Sequence, residues 1–396
     1  MNGQREVVIL SGVRTAIGDY GGSLKDIPPT ELGARVVREA IARAKVDPTD
    51  IGQCVFGNVI HTEAKDMYFS RVAALKGGLP ASSGALTLNR LCGSGLQAIV
   101  SASQYVLLGD TDAAIGGGAE SMSRAAYANL TERWGARMGD AKSIDMMVGA
   151  LTDPFDTVHM GITAENVAKQ CSITREQQDA FAVESHKRAT AATAAGHFQS
   201  QILPIELKSK KGPVQFDADE HVRGDASTEG MGKLKAVFLK ENGTVTAGNA
   251  SGINDAAAAV VLMEKTAAEK RGLKPMARFV SYGHAGIDPK IMGLGPVSAV
   301  KNALSKAGLK ISDMDVIESN EAFAAQALGV NQQLGLDPAK VNPNGGAVAL
   351  GHPIGATGCI LTVKCMYELH RTGKRYGLIT MCIGGGQGIA AIIERM

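Results

Sequence analysis

Four short segments hold residue types that can do chemistry. In ALTLNRLCGSGLQAIVSA, Cys92 lies between a strand-like run and a helix-like run, with Gly93, Ser94 and Gly95 to make the turn. A cysteine at a helix N-terminus faces unpaired amide donors and the positive end of the dipole. Both favour the thiolate, the nucleophilic form of the side chain. A tight strand-to-helix turn also exposes a nucleophile. A buried structural cysteine beside a packing turn fits the same residues. So does G-x-G-x-x-A, a dinucleotide fingerprint over residues 93–98 with Asp110 and Asp112 beyond it.

The second segment, NPNGGAVALGHPIGATG, sets His352 among glycines and a proline ahead of an apparent helix. Histidine is the usual acid–base group near neutral pH; a turn histidine satisfied by backbone is the plainer alternative. In the third, MCIGGGQG, Cys382 ends an apolar run and Gly384, Gly385 and Gly386 follow. Bare amides at such a bend can point at an oxyanion, although a glycine-rich strand end looks the same. The fourth, ESNEAFAAQA, puts Asn320 and Glu321 between a strand and a helix. Asn320 there can be a helix cap or can orient a water near a developing oxyanion. No G-x-x-x-x-G-K-[ST] phosphate loop occurs.

Strand-like runs that alternate with helical patterns must position these turns, and they point to an α/β architecture. Strands are expected at 7–10, 53–56, 85–91, 113–117, 256–263, 278–281, 316–318, 377–382 and 389–393. Helices are expected at 30–45, 95–108, 175–195, 297–307 and 358–369. Leu32, Val36, Val37, Ala40, Ile41 and Ala44 share one face of the first helix. Thr174 and Gln177 form a capping box at the third. The run REAIARAKVDPTDI (38–51) aligns without gaps to KNALSKAGLKISDM (301–314), and IGGGAE (115–120) is echoed by IGGGQG (383–388). Two matches in the same order indicate an internal duplication. The expected organisation is an N-terminal half (1–120 and 248–270), an inserted loop domain (121–247) and a C-terminal half (271–396).

Composition closes off other classes. The 396 residues are 45% hydrophobic and 20% charged, with 48 glycines and a net charge of +2, so no global field calls for nucleic acid or a membrane surface. The basic run 208–211 and Arg223 could face an anionic ligand, but a solvated surface run is the commoner meaning of such residues. The longest apolar stretch read along the chain, 256–263, is too short to span a bilayer. No signal peptide opens the chain and no lipidation or peroxisomal signal closes it, so a cytoplasmic location is expected. Six cysteines show no C-x-x-C pair and no zinc spacing, which fits reduced thiols and no metal site.

Taken together, NRLCGSGLQA, GNASGINDAAAA, NEAFA, NGGAVALGHPIGATG and CIGGGQG resemble the thiolases over essentially the whole chain. VRTAIGDYGGSLKD near the start and HMGITAEN at 159–166 fit the same family. Departures are small: Arg90 falls where the family varies, and Ser319 replaces a residue that is often Ala. The resemblance implies the thiolase fold, an α/β arrangement of two duplicated halves of mixed sheet with helices layered between and outside. It implies an acyltransferase of fatty-acid, polyhydroxyalkanoate or ketone-body metabolism that joins acyl-CoA and acetyl-CoA into 3-oxoacyl-CoA and CoA, reversibly.

By that resemblance Cys92 carries the acyl group, His352 takes its proton, and Cys382 is the second acid/base. Asn320, through a water, and His352 stabilise the enolate, and the amides of Cys92 and Gly384 form the oxyanion hole. Coenzyme A contacts fall at Leu151, His159, Met160, Arg223, Ser251, Ala322 and Phe323. Coenzyme A is substrate and product, and no other cofactor is implied. Residues 121–150 hold a tetramerisation loop, so a homotetramer, a dimer of dimers, is expected. The resemblance runs somewhat closer to bacterial β-ketothiolases that accept chains longer than acetyl. A decarboxylating ketoacyl synthase shares the fold, but NEAF, GHP and Cys382 argue against it. A non-catalytic lipid-binding relative would lack the two cysteines.

Overall fold

One mixed sheet runs through the computed structural model, which describes residues 5–210 and 212–396. Lys211, the end of the basic run, and the first four residues lie outside the described residues. The main strands are β1 (Val7–Thr15), β2 (Ile51–Gly57), β3 (Gly84–Leu88), β4 (Ala113–Ser121), β5 (Asn254–Glu264), β6 (Ala277–Gly286), β7 (Val316–Ser319), β8 (Tyr376–Ile383) and β9 (Gln387–Arg395). Their order across the sheet is β7-β8-β9-β6-β1-β5-β4-β2-β3. The helices used below are α1 (Pro29–Ala44), α2 (Phe69–Gly77), α3 (Ser94–Leu108), α4 (Met160–Gln170), α5 (Arg175–Ala194), α6 (Gly295–Ala307), α7 (Ala324–Leu334) and α8 (Thr357–Thr372).

The duplication is visible as pairing. From β1 outward, β5 and β4 pair antiparallel, and β2 and β3 then add in parallel. From β6 outward, β9 and β8 pair antiparallel and β7 adds in parallel. The place of β3 is taken by a single parallel bridge from Ile317 to Val341. Both first strands carry a bulge at a matching point, between Ile9 and Ser11 and between Phe279 and Ser281. The halves join where β1 meets β6 through Val8–Arg278 and Ile9–Ala277. The aligned segments 38–51 and 301–314 are matching helix ends and the turns after α1 and α6.

The second echo is not structural. Ile115 is an interior residue of β4, whereas Ile383 is the last residue of β8 and its glycines form the following turn. The strand expected to stop at Gly117 continues to Ser121. Glycine disfavours strands in isolation, but here the sheet must be thin. A Cβ on Gly116 would stand 2.7 Å from the Ile99 Cα of α3. A Cβ on Gly118 would stand 2.1 Å from the Gly355 carbonyl.

β5, read as NDAAAAVVLME, is buried along its full length. Its alanines let α1, α3 and α8 approach the middle of the sheet, the arrangement of a strand covered on both faces. α1 buries Leu32, Val36, Val37, Ala40, Ile41 and Ala44, the expected face. The stretch Leu91–Leu108 is a longer apolar run than 256–263, and its 18 residues are long and apolar enough to cross a membrane by length and composition. In the fold it is the Cys92 turn followed by α3, packed on β4 and α8.

Residues 121–247 contribute a hairpin, Tyr127–Asn129 with Ser143–Asp145, together with α4 and α5. The Thr174–Gln177 capping box starts α5 as expected. This segment is bound into the rest. Ala189 and Ala192 of α5 join the main core. Arg14 and Asp219, both fully buried, form a two-pronged ion pair at 2.7 and 2.9 Å.

Candidate active site

The Cys92 turn is wound tightly. Leu91 has φ +46°, a left-handed conformation that costs energy in a branched residue. The Asn89 side chain accepts from the Leu91 amide at 2.9 Å. Ser94 Oγ accepts from the Arg90 amide at 2.8 Å and donates to the Leu91 carbonyl at 2.7 Å. These bonds hold Cys92 out of the regular strand and just ahead of α3. Gly93 has no room for a side chain: a Cβ would meet Ile383 Cδ1 at 2.6 Å. That contact brings the turn after β8 against the turn before α3.

Burial, the largest influence, pushes the Cys92 thiol up to about 11. The Gly384 amide and the residue's own amide pull it down, and the charge of Glu120 pushes it up further. The expected thiolate at a helix end is therefore not the resting form. Desolvation outweighs the dipole, and the sulfur needs a base to take its proton.

His352 lines the same cavity as Cys92. It is buried, and desolvation alone lowers its ring to about 4, so it stands neutral. Its amide donates to Asn254 Oδ1 at 2.9 Å. Its Nδ1 lies 2.7 Å from Thr357 Oγ1. That hydroxyl already donates its single proton to the Pro353 carbonyl at 2.9 Å. It can only accept from the ring, so Nδ1 carries the proton and Nε2 is bare. Nε2 faces the Asn320 amide nitrogen at 3.4 Å.

Asn320 is fully buried at the end of β7, its amide held by the Thr380 carbonyl at 3.0 Å. It does not cap α7, whose cap position is Phe323. Among the described residues its Oδ1 is a buried acceptor without a hydrogen-bond partner. Cys382 is fully buried near the end of β8. Burial pushes its thiol well up, and Cys92 pushes it further. Gly384 follows in the turn and reaches the Cys92 sulfur through its amide.

A cavity of about 320 Å³ opens on this group. Cys92, His352 and Gly384 line it; Cys382 and Asn320 lie behind the wall. Of the residues expected to touch coenzyme A, Leu151, His159, Met160, Ser251, Ala322 and Phe323 line it as well. Arg223 does not. It is exposed and paired with Asp19 at 3.1 Å. His221, two residues before it, packs on Gly252 of the cavity wall. The His159 ring stacks on Phe238 at 4.7 Å, and Phe238 meets Phe323 edge-on at 6.4 Å.

Several residues of the site carried no signal in the sequence. Phe238 and Met292 line the cavity from segments with no motif. Thr357 and Asn254 stood inside quoted motifs, but their types did not mark them as the holders of His352.

The descriptions of two family models match the chain: Thiolase, N-terminal domain, over residues 7–266, and Thiolase, C-terminal domain, over residues 273–395. Beta-ketothiolase BktB of Cupriavidus necator is 68% identical over 392 residues, covering 99% of this chain and 100% of its own. An acetyl-CoA acetyltransferase of Chromobacterium violaceum is 51% identical over 392 residues, covering 98% of this chain and 100% of its own. Human mitochondrial 3-ketoacyl-CoA thiolase, solved in complex with CoA, superposes with a TM-score of 0.96 at 44% identity, covering 99% of this chain and 98% of that one.

Proposed function

The chain belongs to the thiolase family, and on that premise we propose how its residues divide the work of the family's reaction. It is an acyltransferase that interconverts acyl-CoA plus acetyl-CoA with 3-oxoacyl-CoA plus CoA. His352 Nε2 takes the Cys92 proton as the sulfur attacks the thioester carbonyl. The amides of Cys92 and Gly384 hold the oxyanion; one such donor is typically worth on the order of 3 kcal/mol. The leaving CoA thiolate takes the Cys382 proton and departs as CoA-SH.

Cys382, now a thiolate, removes an α-proton from acetyl-CoA. His352 in its protonated form, with a water held by Asn320, stabilises the enolate. The enolate carbon attacks the acyl-Cys92 carbonyl, and the collapse expels the Cys92 thiolate, which recovers its proton from His352. Both thiols and His352 end in the protonation states they started in: the proton on Cys382 is now the former α-proton of acetyl-CoA, and it passes to the leaving CoA thiolate of the next turnover. This two-stage, ping-pong course needs no metal or prosthetic group, coenzyme A being substrate and product.

The observation that carries these roles is the bare Nε2 of His352 at a cavity shared with Cys92 and Gly384. Cys92→Ser is expected to abolish acyl-enzyme formation. Labelling of that variant by acetyl-CoA at the normal rate would overturn the assignment.

We further propose that the enzyme serves acyl chains longer than acetyl. Leu91, Met122, Met292 and Ile354 give the cavity apolar walls beside Cys92, and the 68% relative is named a beta-ketothiolase. Thiolysis of 3-oxoacyl-CoAs of increasing length tests this, by whether kcat/KM holds or falls from the shortest upward. His221 packs on Gly252 of the cavity wall, and Arg223, two residues on and paired with the Asp19 that also holds His221, is assigned to the phosphorylated end of coenzyme A. We also propose a homotetramer, a dimer of dimers. The exposed edge strand β3 and the apolar hairpin 127–145 support it.

A further inference from the structure

Glu120 takes part in none of these steps, yet its carboxylate stands where three walls of the site meet. It is fully buried near the end of β4. One oxygen accepts from the Gly355 amide at 2.8 Å and the Val59 amide at 3.1 Å. The other accepts from the Ile60 amide at 3.1 Å and the Asn58 side chain at 3.2 Å. None of these four donors carries a charge. The fit at Gly355 is close: a Cβ there would stand 2.5 Å from the carboxylate oxygen.

The segments it gathers are the turn after β2 and the turn that follows His352. Ile60 and Ile354 belong to those turns, Met122 follows the end of β4, and the three form one apolar cluster against Cys92. The charge also reaches the sulfur, where it opposes ionisation. A buried anion without a cation disfavours a second anion beside it.

We propose that Glu120 is a positioning residue for this centre. Its carboxylate ties the 58–60 and 353–356 turns to β4 and fixes the apolar wall beside Cys92, and as a buried acid behind that wall it bears on the sulfur as well. The consequence is chemical. Where Glu120 is ionised, above about pH 8, its charge penalises a lone Cys92 thiolate.

The titratable groups around Glu120 are Asp255 on β5, Cys92 before α3, and His61 and His352 along the two turns it holds. Burial and the Asp255 charge bring the Glu120 carboxyl to about 8, against the pull of its amide donors. In the alkaline range where Cys92 ionises, Glu120 is therefore charged, and Glu120→Gln removes a charge that is present.

The experiment is iodoacetamide alkylation of the full-length enzyme against pH, following the Cys92 peptide by mass spectrometry because five other cysteines are present. Glu120→Gln is expected to lower the midpoint by about one pH unit, a tenfold gain in thiolate at fixed pH. Its side-chain NH₂ cannot accept, so amide donors lose their partner and kcat for thiolysis is expected to fall about tenfold or more, with KM changing less. Glu120→Asp keeps the charge but shortens the reach, so the midpoint should stay and kcat should fall.

An unmoved midpoint in Glu120→Gln, or wild-type kcat in both variants, overturns the proposal. So does a midpoint that moves as far in Glu120→Asp as in Glu120→Gln. Should Glu120→Gln fail to fold, Glu120→Asp decides alone: an unmoved midpoint with reduced kcat supports the proposal, and wild-type kcat overturns it. The proposal rests on Cys92 as acyl carrier. Failure of that role shows as acyl labelling of Cys92→Ser, a result distinct from every arm above.

Discussion

At the scale of single residues, the decisive bond is the one that chooses which ring nitrogen of His352 carries the proton. Thr357 Oγ1 spends its proton on the Pro353 carbonyl and accepts from Nδ1. Thr357→Val keeps the side-chain shape and removes the acceptor. A buried Nδ1–H would then lack a partner, a loss of about 1–3 kcal/mol, and the ring could turn to the tautomer that cannot take the Cys92 proton. Expected is a fall in kcat of about 10- to 100-fold with KM nearly unchanged, by analogy with other sites whose ring orientation depends on a second partner. Steady-state thiolysis with a parallel melting curve checks it; wild-type kcat would refute the tautomer. The sequence made Cys92, His352 and Cys382 visible because each sits on a glycine-rich turn. It could not show the tautomer, since Thr357 has the same type as many threonines. Nor could it show that burial outweighs the helix end at Cys92, because burial is a property of the packed fold.

At the scale of elements, two helix heads bring the turns together. α3 and α8 meet where glycines replace side chains: a Cβ on Gly95 would lie 2.8 Å from the Cys359 amide, and one on Gly358 would lie 2.2 Å from the Leu96 amide. The obstacles are backbone, so a rotamer change cannot relieve them. Gly358→Ala must push the heads apart, at a cost of about 1–3 kcal/mol for an overpacked core. It should also move the His352 turn relative to Cys92 and lower kcat by more than the loss of folded protein explains. Gly232→Ala is the control, because nothing lies within 4 Å of a Cβ there. Equal melting temperatures for the two variants would contradict this account. Most elements were legible from periodicity, as α1 with its six apolar positions shows. β4 was read too short because its three glycines look like a strand end. They are there for the helix and turn that lie against them, a tertiary reason that no window of sequence contains.

At the scale of the molecule, the gapless match of 38–51 to 301–314 announced the duplication, and the pairing order around β1 and β6 bears it out. The glycine echo misled, because similar letters fell at different depths in equivalent strands. What the halves do not use among themselves is the hairpin of the inserted segment. Tyr127, Leu130, Trp134 and Met138 are 67%, 70%, 82% and 99% exposed there. An apolar group of this kind on a surface marks association more often than chance exposure, and closed dimers of dimers are a common way to satisfy it. The wild-type chain is expected to travel at about four times its mass of 41.2 kDa in size-exclusion chromatography with light scattering. Trp134→Glu with Met138→Glu places two charges in the hairpin and none in β3, so the assembly should fall to half that mass while each half keeps its fold and its Cys92 acylation. A variant that holds the wild-type mass would remove the hairpin from the contact, and a monomeric wild type would remove the tetramer itself.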